Sequence, residues 1–215
     1  MTHDELVEAI TAGTVTLKQS LPDGAADKLA TLLEELARWG QRINLTAIRD
    51  LSAMVGGHIL DSLSVRPHLH GEDILDVGTG AGFPGLPLAI AEPQRRFELL
   101  DSHGKKIGFV RHIIAALELD NASAVKSRAE DYAPGDRFDT VIARALTAMP
   151  RFIELAAHLK REDGVLLALK GKYPTEELDD LPDDWEYTVT ELKVPGLESH
   201  ARHIVALKRR HGGAA

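Results

Sequence analysis

The sequence contains no cysteine among its 215 residues. This absence excludes disulfide bonds, thiolate metal sites and every mechanism that depends on a cysteine nucleophile. Long apolar runs are missing as well: stretches such as 86–91 and 165–169 are far shorter than the roughly 18 residues that a membrane span requires. The first ten residues carry acidic side chains instead of an apolar core, which is not typical of a signal peptide. We therefore expect a cytoplasmic protein without membrane contact.

The histidines do not follow a metal-binding pattern. His58, His68 and His70 lack the i, i+4 spacing and the carboxylate partner that a zinc-binding helix uses. With no cysteine ligands either, we expect the protein to hold no metal ion.

Acidic residues outnumber lysine and arginine by 33 to 25, so that the formal net charge is −8. A globally acidic surface disfavours avid, non-specific binding to naked nucleic acid, although it is compatible with a local basic patch. The length and the apolar content of 44% suit one α/β unit with a sizeable core. Nothing in the sequence requires an assembly larger than a monomer.

Residues 1–70 show helical periodicity and no strand pattern. Within 27–43, apolar residues recur at helical spacing while charged residues fill the opposite face. A further helix is predicted over 51–63, where two central glycines lower its stability. We expect this region to form a helical cap on residues 71–211.

From residue 72 onward, short apolar runs alternate with helical stretches. The runs that we interpret as buried strands are 74–77, 97–100, 122–125, 141–143 and 165–169. Such alternation is typical of βαβ units and a parallel sheet. The last two strand-like segments, 185–194 and 203–207, are joined by a loop too short for a helical crossover, which predicts an antiparallel hairpin at the sheet edge. The expected fold class is α/β with a mostly parallel sheet.

Four of the predicted strands end in a charged residue. These residues are Asp76, Asp101, Arg144 and Lys170. Because ligands of open parallel sheets bind at the carboxyl ends of the strands, we expect the four side chains to lie along one functional edge. For any single one of them, the alternative is a polar residue that merely marks the exit from a buried strand.

The segment after the first predicted strand, DVGTGAGFPG at 76–85, is rich in glycine and precedes an apolar helix. Gly78, Gly80 and Gly82 stand at alternate positions, which permits a tight turn with positive φ and close approach of a ligand to the backbone. Asp101 ends the next strand about 20 residues later, the usual place of a carboxylate that binds ribose hydroxyls. Together these features predict a nucleotide-cofactor site.

Two cofactor classes fit this loop. The spacing Gly80-x-Gly82-x-x-Gly85 matches the dinucleotide fingerprint, so an NAD-dependent oxidoreductase is one alternative. Asp76, however, places a negative charge where it would oppose a pyrophosphate, and the same charge suits S-adenosylmethionine, a sulfonium with a cationic amino group. The terminal hairpin also stands where a dinucleotide fold normally continues with βαβ units. We therefore favour the methyl donor, with Asp76 at its amino group and Asp101 at its ribose.

Lys105 and Lys106 lie in the first turn of a predicted helix. Cations there oppose the helix dipole at a cost of about 0.3–1 kcal/mol each at exposed positions, and a bound phosphate would offset that cost. We interpret the pair, together with Arg111, as a nucleic-acid contact; the alternative is a solvated pair without a ligand. Further cations predicted on the same edge are Arg128, Arg144, Lys170 and Lys172.

Several short stretches occur in a specific order over residues 44–171. They are NLTAI (44–48), HILDSL (58–63), DVGTGAGFPG (76–85), LDS (100–102), SRAE (127–130), ARA (143–145) and LKG (169–171). In these stretches the chain resembles the small-subunit ribosomal RNA methyltransferase G family, also called glucose-inhibited division protein B. The glycine loop with its Phe-Pro is the most specific element of the resemblance.

The resemblance implies a Rossmann-like class I S-adenosylmethionine-dependent methyltransferase fold. It also implies an enzyme that moves a methyl group from S-adenosylmethionine to N7 of a guanosine in 16S rRNA, either free or in the small ribosomal subunit. By similarity, Gly78, Phe83, Ala129, Glu130 and Arg144 would contact the cofactor. Phe83 either packs on the donor or fills the core beneath the loop.

The residues present agree with this chemistry. Guanine N7 carries a free lone pair at neutral pH, so its attack on a sulfonium methyl group needs no general base. The ARA stretch also stands where exocyclic-amine methyltransferases commonly carry Asn-Pro-Pro-Tyr. Catalysis would then rest on positioning, with Arg144 gripping either the methionine carboxylate or the guanine O6. A non-catalytic RNA-binding module on the same fold is a further alternative.

Overall fold

The computed structural model describes residues 1–144 and 146–210. Ala145 of the ARA stretch and residue 211, the last one that we assigned to the core, lie outside the described residues. Within the described part of the chain, no helix is long and apolar enough to cross a membrane.

Two helices open the chain, α1 (His3–Thr16) and α2 (Ala25–Gly40). The Thr2 hydroxyl accepts a hydrogen bond from the Glu5 N–H, and the Glu5 side chain accepts one from the Thr2 N–H, a capping box that fixes the start of α1. The apolar stripe of α2 is buried, so the periodicity prediction is confirmed. The helix ends at Gly40, a few residues earlier than predicted.

A continuous helical stretch follows at 51–63, as predicted, but its centre has a different form. It consists of α3 (Leu51–Met54), a π-helical segment (Val55–Leu60) and α4 (Asp61–Leu63). A side chain at Gly56, inside the π-helical segment, would meet the Pro195 carbonyl oxygen at 3.1 Å. Glycine therefore permits the close approach between this segment and the chain near residue 195. A 3-10 turn, Arg66–His68, ends the helical region.

In the described part of the chain, seven strands form one sheet. They are β1 (Asp73–Val77), β2 (Arg96–Asp101), β3 (Ala122–Lys126), β4 (Phe138–Arg144), β5 (Lys160–Lys170), β6 (Trp185–Glu191) and β7 (His203–Arg209). Their order is β3-β2-β1-β4-β5-β7-β6, with β1 to β5 parallel and β7 antiparallel to both β5 and β6. The predicted parallel sheet and terminal hairpin are thus confirmed.

The remaining helices connect the strands. They are α5 (Gly85–Ala91), α6 (Gly104–Ala116), α7 (Met149–Ala156), which continues into the 3-10 turn Ala157–Leu159, and α8 (Thr175–Asp179). Of these, α5, α6 and α7 are crossovers between parallel strands, as such strands require, whereas α8 precedes β6.

Adjacent residues along the central strands face opposite sides of the sheet. Ile74 and Leu99 join a buried cluster with the helices α1, α2, α5 and α6, whereas Leu75 and Leu100 join a second cluster with α7. Both faces are therefore covered, as expected for strands that form continuous apolar runs. The cap packs on the helices that cover this face of the sheet, since α2 contacts both α5 and α6 and α4 contacts α5. The division at residues 70 and 71 stays a prediction.

Candidate active site

The strand order brings the carboxyl ends of β2, β1, β4 and β5 side by side. A cavity of about 490 Å³ opens at this edge, a size typical of small-molecule sites. Five of its lining residues were predicted from the sequence to contact a cofactor: Gly78, Asp101, Ala129, Glu130 and Arg144. The topology thus assembles residues that are up to 66 positions apart in the chain.

Sequence reasoning missed other residues that line this cavity. They are Val77, Leu100, Ser102, His103, Ser127, Leu146 and Leu155, whereas Arg128, which also lines the cavity, was predicted on this edge as a cation. Ser102 and His103 directly follow the end of β2, so their position was a usable signal. Leu146 and Leu155 are ordinary apolar residues outside any motif, and only the three-dimensional structure reveals them.

The glycine loop adopts the backbone that its composition predicts. Gly78, Gly80 and Gly82 have φ values of 69°, 61° and 90°, a region that side chains rarely adopt. Two of the loop's N–H groups, those of Gly78 and Thr79, donate to the Leu100 carbonyl at 2.8 and 3.0 Å. The loop is therefore tied to the end of β2. Gly78 lines the cavity, whereas Gly80 and Gly82 do not.

Asp76 lies beneath the loop and is only 1% exposed. Its Oδ2 accepts hydrogen bonds from the Thr79 hydroxyl at 2.6 Å and from the Gly85 N–H at 2.8 Å. Its Oδ1 is buried and accepts no hydrogen bond from the described residues. Burial raises the pKa of Asp76 to about 6, although both hydrogen bonds and the charge of Arg144 act in the opposite direction. Asp76 braces the loop and does not reach the cavity wall; its predicted donor contact stays a prediction.

Asp101 connects the loop to the start of α6. Its Oδ2 accepts a hydrogen bond from the Gly80 N–H at 3.0 Å. Its Oδ1 lies 2.8 Å from the backbone nitrogen and 2.9 Å from Nδ1 of His103. A carboxylate has about four acceptor sites, so Asp101 can still accept a further hydrogen bond at the cavity wall.

Arg144 and the glycine loop meet through an aromatic ring. The Arg144 guanidinium lies 5.5 Å above the centre of the Phe83 ring, and His58 stacks against the same ring with the centroids 4.6 Å apart. Arg144 Nη1 also lies 3.3 Å from both the Gly57 carbonyl oxygen and Asp61 Oδ2. Phe83 is 3% exposed and does not line the cavity, so the structure places it in the core position beneath the loop.

A family model described as rRNA small subunit methyltransferase G matches residues 25–205, which is most of the chain. The chain belongs to this family.

Relatives in the rRNA small subunit methyltransferase G family match over nearly their whole length. The chain is 48% identical over 189 residues to the Ribosomal RNA small subunit methyltransferase G of Aeromonas salmonicida, an alignment that covers 87% of this chain and 90% of that protein. It is 44% identical over 206 residues to the protein of the same name from Alkalilimnicola ehrlichii, with coverage of 95% and 93%.

Solved structures confirm the predicted class I methyltransferase fold. The O-methyltransferase from Bacillus cereus, solved in complex with SAH, superposes with a TM-score of 0.61 at 17% identity, covering 97% of this chain and 100% of that one. A SAM-dependent methyltransferase from Aquifex aeolicus gives a TM-score of 0.54 at 19% identity, covering 69% and 90%. At these identities the likeness shows the fold alone.

In this rRNA methyltransferase G family member, the cations predicted to contact RNA differ in their surroundings. Lys105 and Lys106 lie in the first turn of α6, as predicted; Lys105 is exposed, and Lys106 lines the cavity itself. Arg111 is exposed, and its guanidinium donates to the Ala124 carbonyl from Nε at 3.2 Å and from Nη2 at 3.1 Å. Part of the hydrogen-bonding capacity of Arg111 is thus used at the edge strand β3.

Lys170 ends β5 and Lys172 lies two residues further along, but the surroundings of the two side chains differ. Lys172 is exposed. The Lys170 ammonium donates to the Thr147 carbonyl at 2.9 Å and pairs with Glu177 at 2.6 Å, and its side chain is 14% exposed. An RNA phosphate would have to displace Glu177 to reach Lys170, which the sequence pattern did not indicate.

Among the described residues, no group of three or more histidines and carboxylates could hold a metal ion.

Proposed function

We propose that this protein transfers a methyl group from S-adenosyl-L-methionine to N7 of a guanosine in 16S rRNA. The observation that carries the proposal is the cavity at the carboxyl ends of the parallel strands, where Gly78, Asp101 and Arg144 meet in a chain of the rRNA methyltransferase G family. The protein would act as a monomer in the cytoplasm, on the rRNA or on the small ribosomal subunit.

The residues around the cavity fit the methyl donor. Asp101 retains acceptor capacity for ribose hydroxyls. Asp76 lies beneath the loop and outside the cavity lining; its buried Oδ1 has no hydrogen-bond partner among the described residues, and its negative charge suits a cationic amino group. Gly78 offers backbone without a side chain, and Ala129 and Glu130 would hold the donor from the opposite wall.

When bound, the donor supplies an electrophilic methyl group on a positively charged sulfur. The residues of this chain need not remove a proton, because guanine N7 already has a free lone pair. They would bind the donor and the guanine, orient the two reactants and exclude water from the cavity. Arg144, which reaches the cavity from the end of β4, would orient either the methionine carboxylate or the guanine O6. Holding two reactants in line can supply up to about 7–11 kcal/mol of barrier lowering.

The RNA would be held by the cations around the cavity. Lys105, Lys106 and Lys172 are the predicted contacts whose ammonium groups are best placed for phosphates, since they lie at the carboxyl edge outside the ion pair of Lys170. The net charge of −8 would discourage loose binding to other RNA and favour a shaped ribosomal target.

Methyl transfer itself tests the proposal. The purified protein should move tritium from labelled S-adenosylmethionine into 16S rRNA or small subunits from a strain lacking the modification, and mass mapping should place the label at N7 of one guanosine. Folded, donor-binding protein that transfers no label would instead identify a non-catalytic RNA-binding module.

Calorimetry distinguishes the proposed methyltransferase from the alternative of an NAD-dependent oxidoreductase. We expect binding of S-adenosylmethionine and S-adenosylhomocysteine and none of NAD, because the antiparallel β6–β7 hairpin stands where a dinucleotide fold continues with βαβ units. Micromolar binding of NAD alone would reject the methyl-donor assignment.

A further inference from the structure

One buried carboxylate joins three distant parts of the chain. Asp61, the first residue of α4, is 4% exposed at the junction of the helical cap and the carboxyl edge of the sheet. Its Oδ2 lies 3.3 Å from Nη1 of Arg144, and its Oδ1 accepts a hydrogen bond from Nε of Arg202 at 3.0 Å. Arg144 ends β4, whereas Arg202 directly precedes β7. Each carboxylate oxygen therefore holds a different arginine.

The two guanidinium groups reach the surface although the carboxylate does not. The side chains of Arg144 and Arg202 are 24% and 27% exposed, against 5% for Asp61. Arg144 lines the cavity, and Nη1 of Arg202 lies 3.9 Å from the position that a side chain on Gly171, just after β5, would occupy. Both arginines thus stand at the same edge, and Asp61 neutralises one positive charge of the two.

Arginine side chains have many rotamers, and ordering them on contact with a ligand costs conformational entropy. Asp61 removes that cost in advance, because Arg144 and Arg202 are already held on its two oxygens. The Gly57 carbonyl gives Arg144 a second fixed partner at 3.3 Å. A whole buried ion-pair network can often be replaced by apolar residues without loss of stability, so stability alone does not require this one. Removing only Asp61 would leave Arg144 and Arg202 without their common partner.

We propose that Asp61 is a positioning residue that holds Arg144 and Arg202 as a pair facing the RNA nucleotide to be methylated. This inference rests on the proposed function. The pair binds an acceptor oxygen of that nucleotide, either on its phosphate or at guanine O6, both of which arginine contacts readily. Asp61 itself touches no substrate and acts through the two arginines.

The test compares Asp61→Asn with a matched control at the opposite end of the sheet. Asp73, at the start of β1, also bridges two arginines: its Oδ1 lies 2.6 Å from Arg96 Nε and its Oδ2 2.9 Å from Arg161 Nη2. Asp73→Asn therefore breaks the same kind of bridge far from the cavity. For each variant, kcat and KM for 16S rRNA, the calorimetric Kd of S-adenosylmethionine and the Tm are measured.

We expect Asp61→Asn to lower kcat/KM for RNA about 10- to 100-fold, as a small misplacement of reactants does, with the donor Kd unchanged. Asp73→Asn should lower the Tm and leave kcat/KM for RNA unchanged. In an Arg202→Ala background, Asp61→Asn should lower kcat/KM less than it does in the wild type, because one of the arginines through which it acts is gone. If the pair contacts a phosphate, Asp61→Asn should also reduce the salt dependence of RNA binding, whereas loss of a contact to O6 should leave that dependence unchanged.

Equal effects of Asp61→Asn and Asp73→Asn on RNA kinetics would overturn the inference and assign Asp61 a structural role. A changed donor Kd with unchanged RNA kinetics would overturn it as well, since the pair would then serve the donor. If Asp61→Asn does not fold, Arg202→Lys, which keeps the charge but loses the planar fork, must lower kcat/KM for RNA for the inference to hold. Wild-type protein that transfers no methyl group would refute the proposed function itself, a result distinct from all of these.

Discussion

The imidazole of His58 stacks on the ring of Phe83, with the centroids 4.6 Å apart and the planes inclined by 20°. His58 belongs to the π-helical segment of the cap, and Phe83 belongs to the glycine loop. On the other side of His58, its Nε2 lies 2.8 Å from the Thr46 hydroxyl. This stacked pair links the cap to the loop, so a disturbance of His58 should change the geometry of the cavity.

His58 makes the stability of the protein sensitive to acid. Burial, reinforced by the positive charge of Arg144, lowers the pKa of His58 from 6.5 to about 4. Because the folded-state pKa lies below the unfolded value, its contribution to stability is complete above pH 6.5 and is lost as the pH falls toward 4. Between pH 7 and pH 5 this loss amounts to roughly 2 kcal/mol.

His58→Gln should remove that sensitivity, so its Tm should fall less than the wild-type Tm between pH 7 and pH 5. The quantity to compare is the difference in Tm between variant and wild type at each pH. Asp76 titrates in the same range in both proteins and changes their stability in the opposite direction, so its effect cancels in this difference. His200→Gln, at an exposed position, serves as the control. Parallel Tm curves for wild type and His58→Gln would contradict the prediction.

Asp76 should make donor binding depend on pH. Burial raises its pKa from 3.8 to about 6, so in the free protein its carboxyl group is mostly protonated at pH 5 and mostly ionised at pH 7. A donor with a cationic amino group favours the ionised form, and its affinity should therefore rise about tenfold from pH 5 to pH 7. Calorimetry in buffers of different ionisation enthalpy should detect proton release near pH 6.

Two substitutions check this assignment. Asp76→Asn should weaken donor binding and flatten its pH dependence. Thr79→Val removes a hydrogen bond that lowers the pKa of Asp76, so the rise in donor affinity should move to higher pH. Donor affinity of the wild type that does not change between pH 5 and pH 7 would show that Asp76 only braces the loop.

Gly80→Val separates the role of the glycine loop in donor binding from the general cost of backbone strain. Gly80 has φ +61°, and a Cβ atom there would meet only the Gly78 carbonyl oxygen, at 3.9 Å, so backbone strain is the effect that the structure predicts. Gly24, at φ +73° before α2, has nothing within 4 Å and provides a matched control. Both valines should cost about 1–3 kcal/mol of stability.

Only Gly80→Val should also weaken donor binding, by at least about tenfold or about 1.4 kcal/mol. The Gly80 N–H donates to Asp101, so a shift of the loop also displaces the carboxylate at the cavity wall. Calorimetric Kd values for S-adenosylmethionine that are equal in the two variants would remove the loop from the donor site.

Much of the cavity could be predicted because it follows from strand periodicity and topology. Asp101 and Arg144 end apolar runs, and parallel strands bring such ends together whatever the details of packing. The positive φ values of the loop followed from its alternate glycines in the same local way. Local patterns of this kind are visible in one sequence.

The parts of the site that could not be predicted from the sequence depend on contacts between residues far apart in the chain. Asp61 lies 83 positions from Arg144 and 141 positions from Arg202, and no local pattern relates them. The burial of Phe83 between His58 and Arg144 depends equally on how the cap packs on the sheet. The sequence showed which residues could carry chemistry, but their partners depend on tertiary packing.

Lys105 and Lys170 were both predicted to contact RNA phosphates, and the structure predicts different outcomes for their removal. Lys105 is exposed, so Lys105→Ala should weaken binding to 16S rRNA and reduce the slope of log K against log salt by about 1, with the Tm and the donor Kd unchanged. Lys170 pairs with Glu177, so Lys170→Ala should cost on the order of 1–3 kcal/mol of stability by leaving that carboxylate unpaired. Lys208 is exposed near the carboxyl end of β7 and provides the control: Lys208→Ala should change neither the salt slope of RNA binding nor the stability. If Lys170→Ala instead reduced the salt slope at constant Tm, the ammonium would exchange Glu177 for RNA, and the sequence-based interpretation of Lys170 would hold.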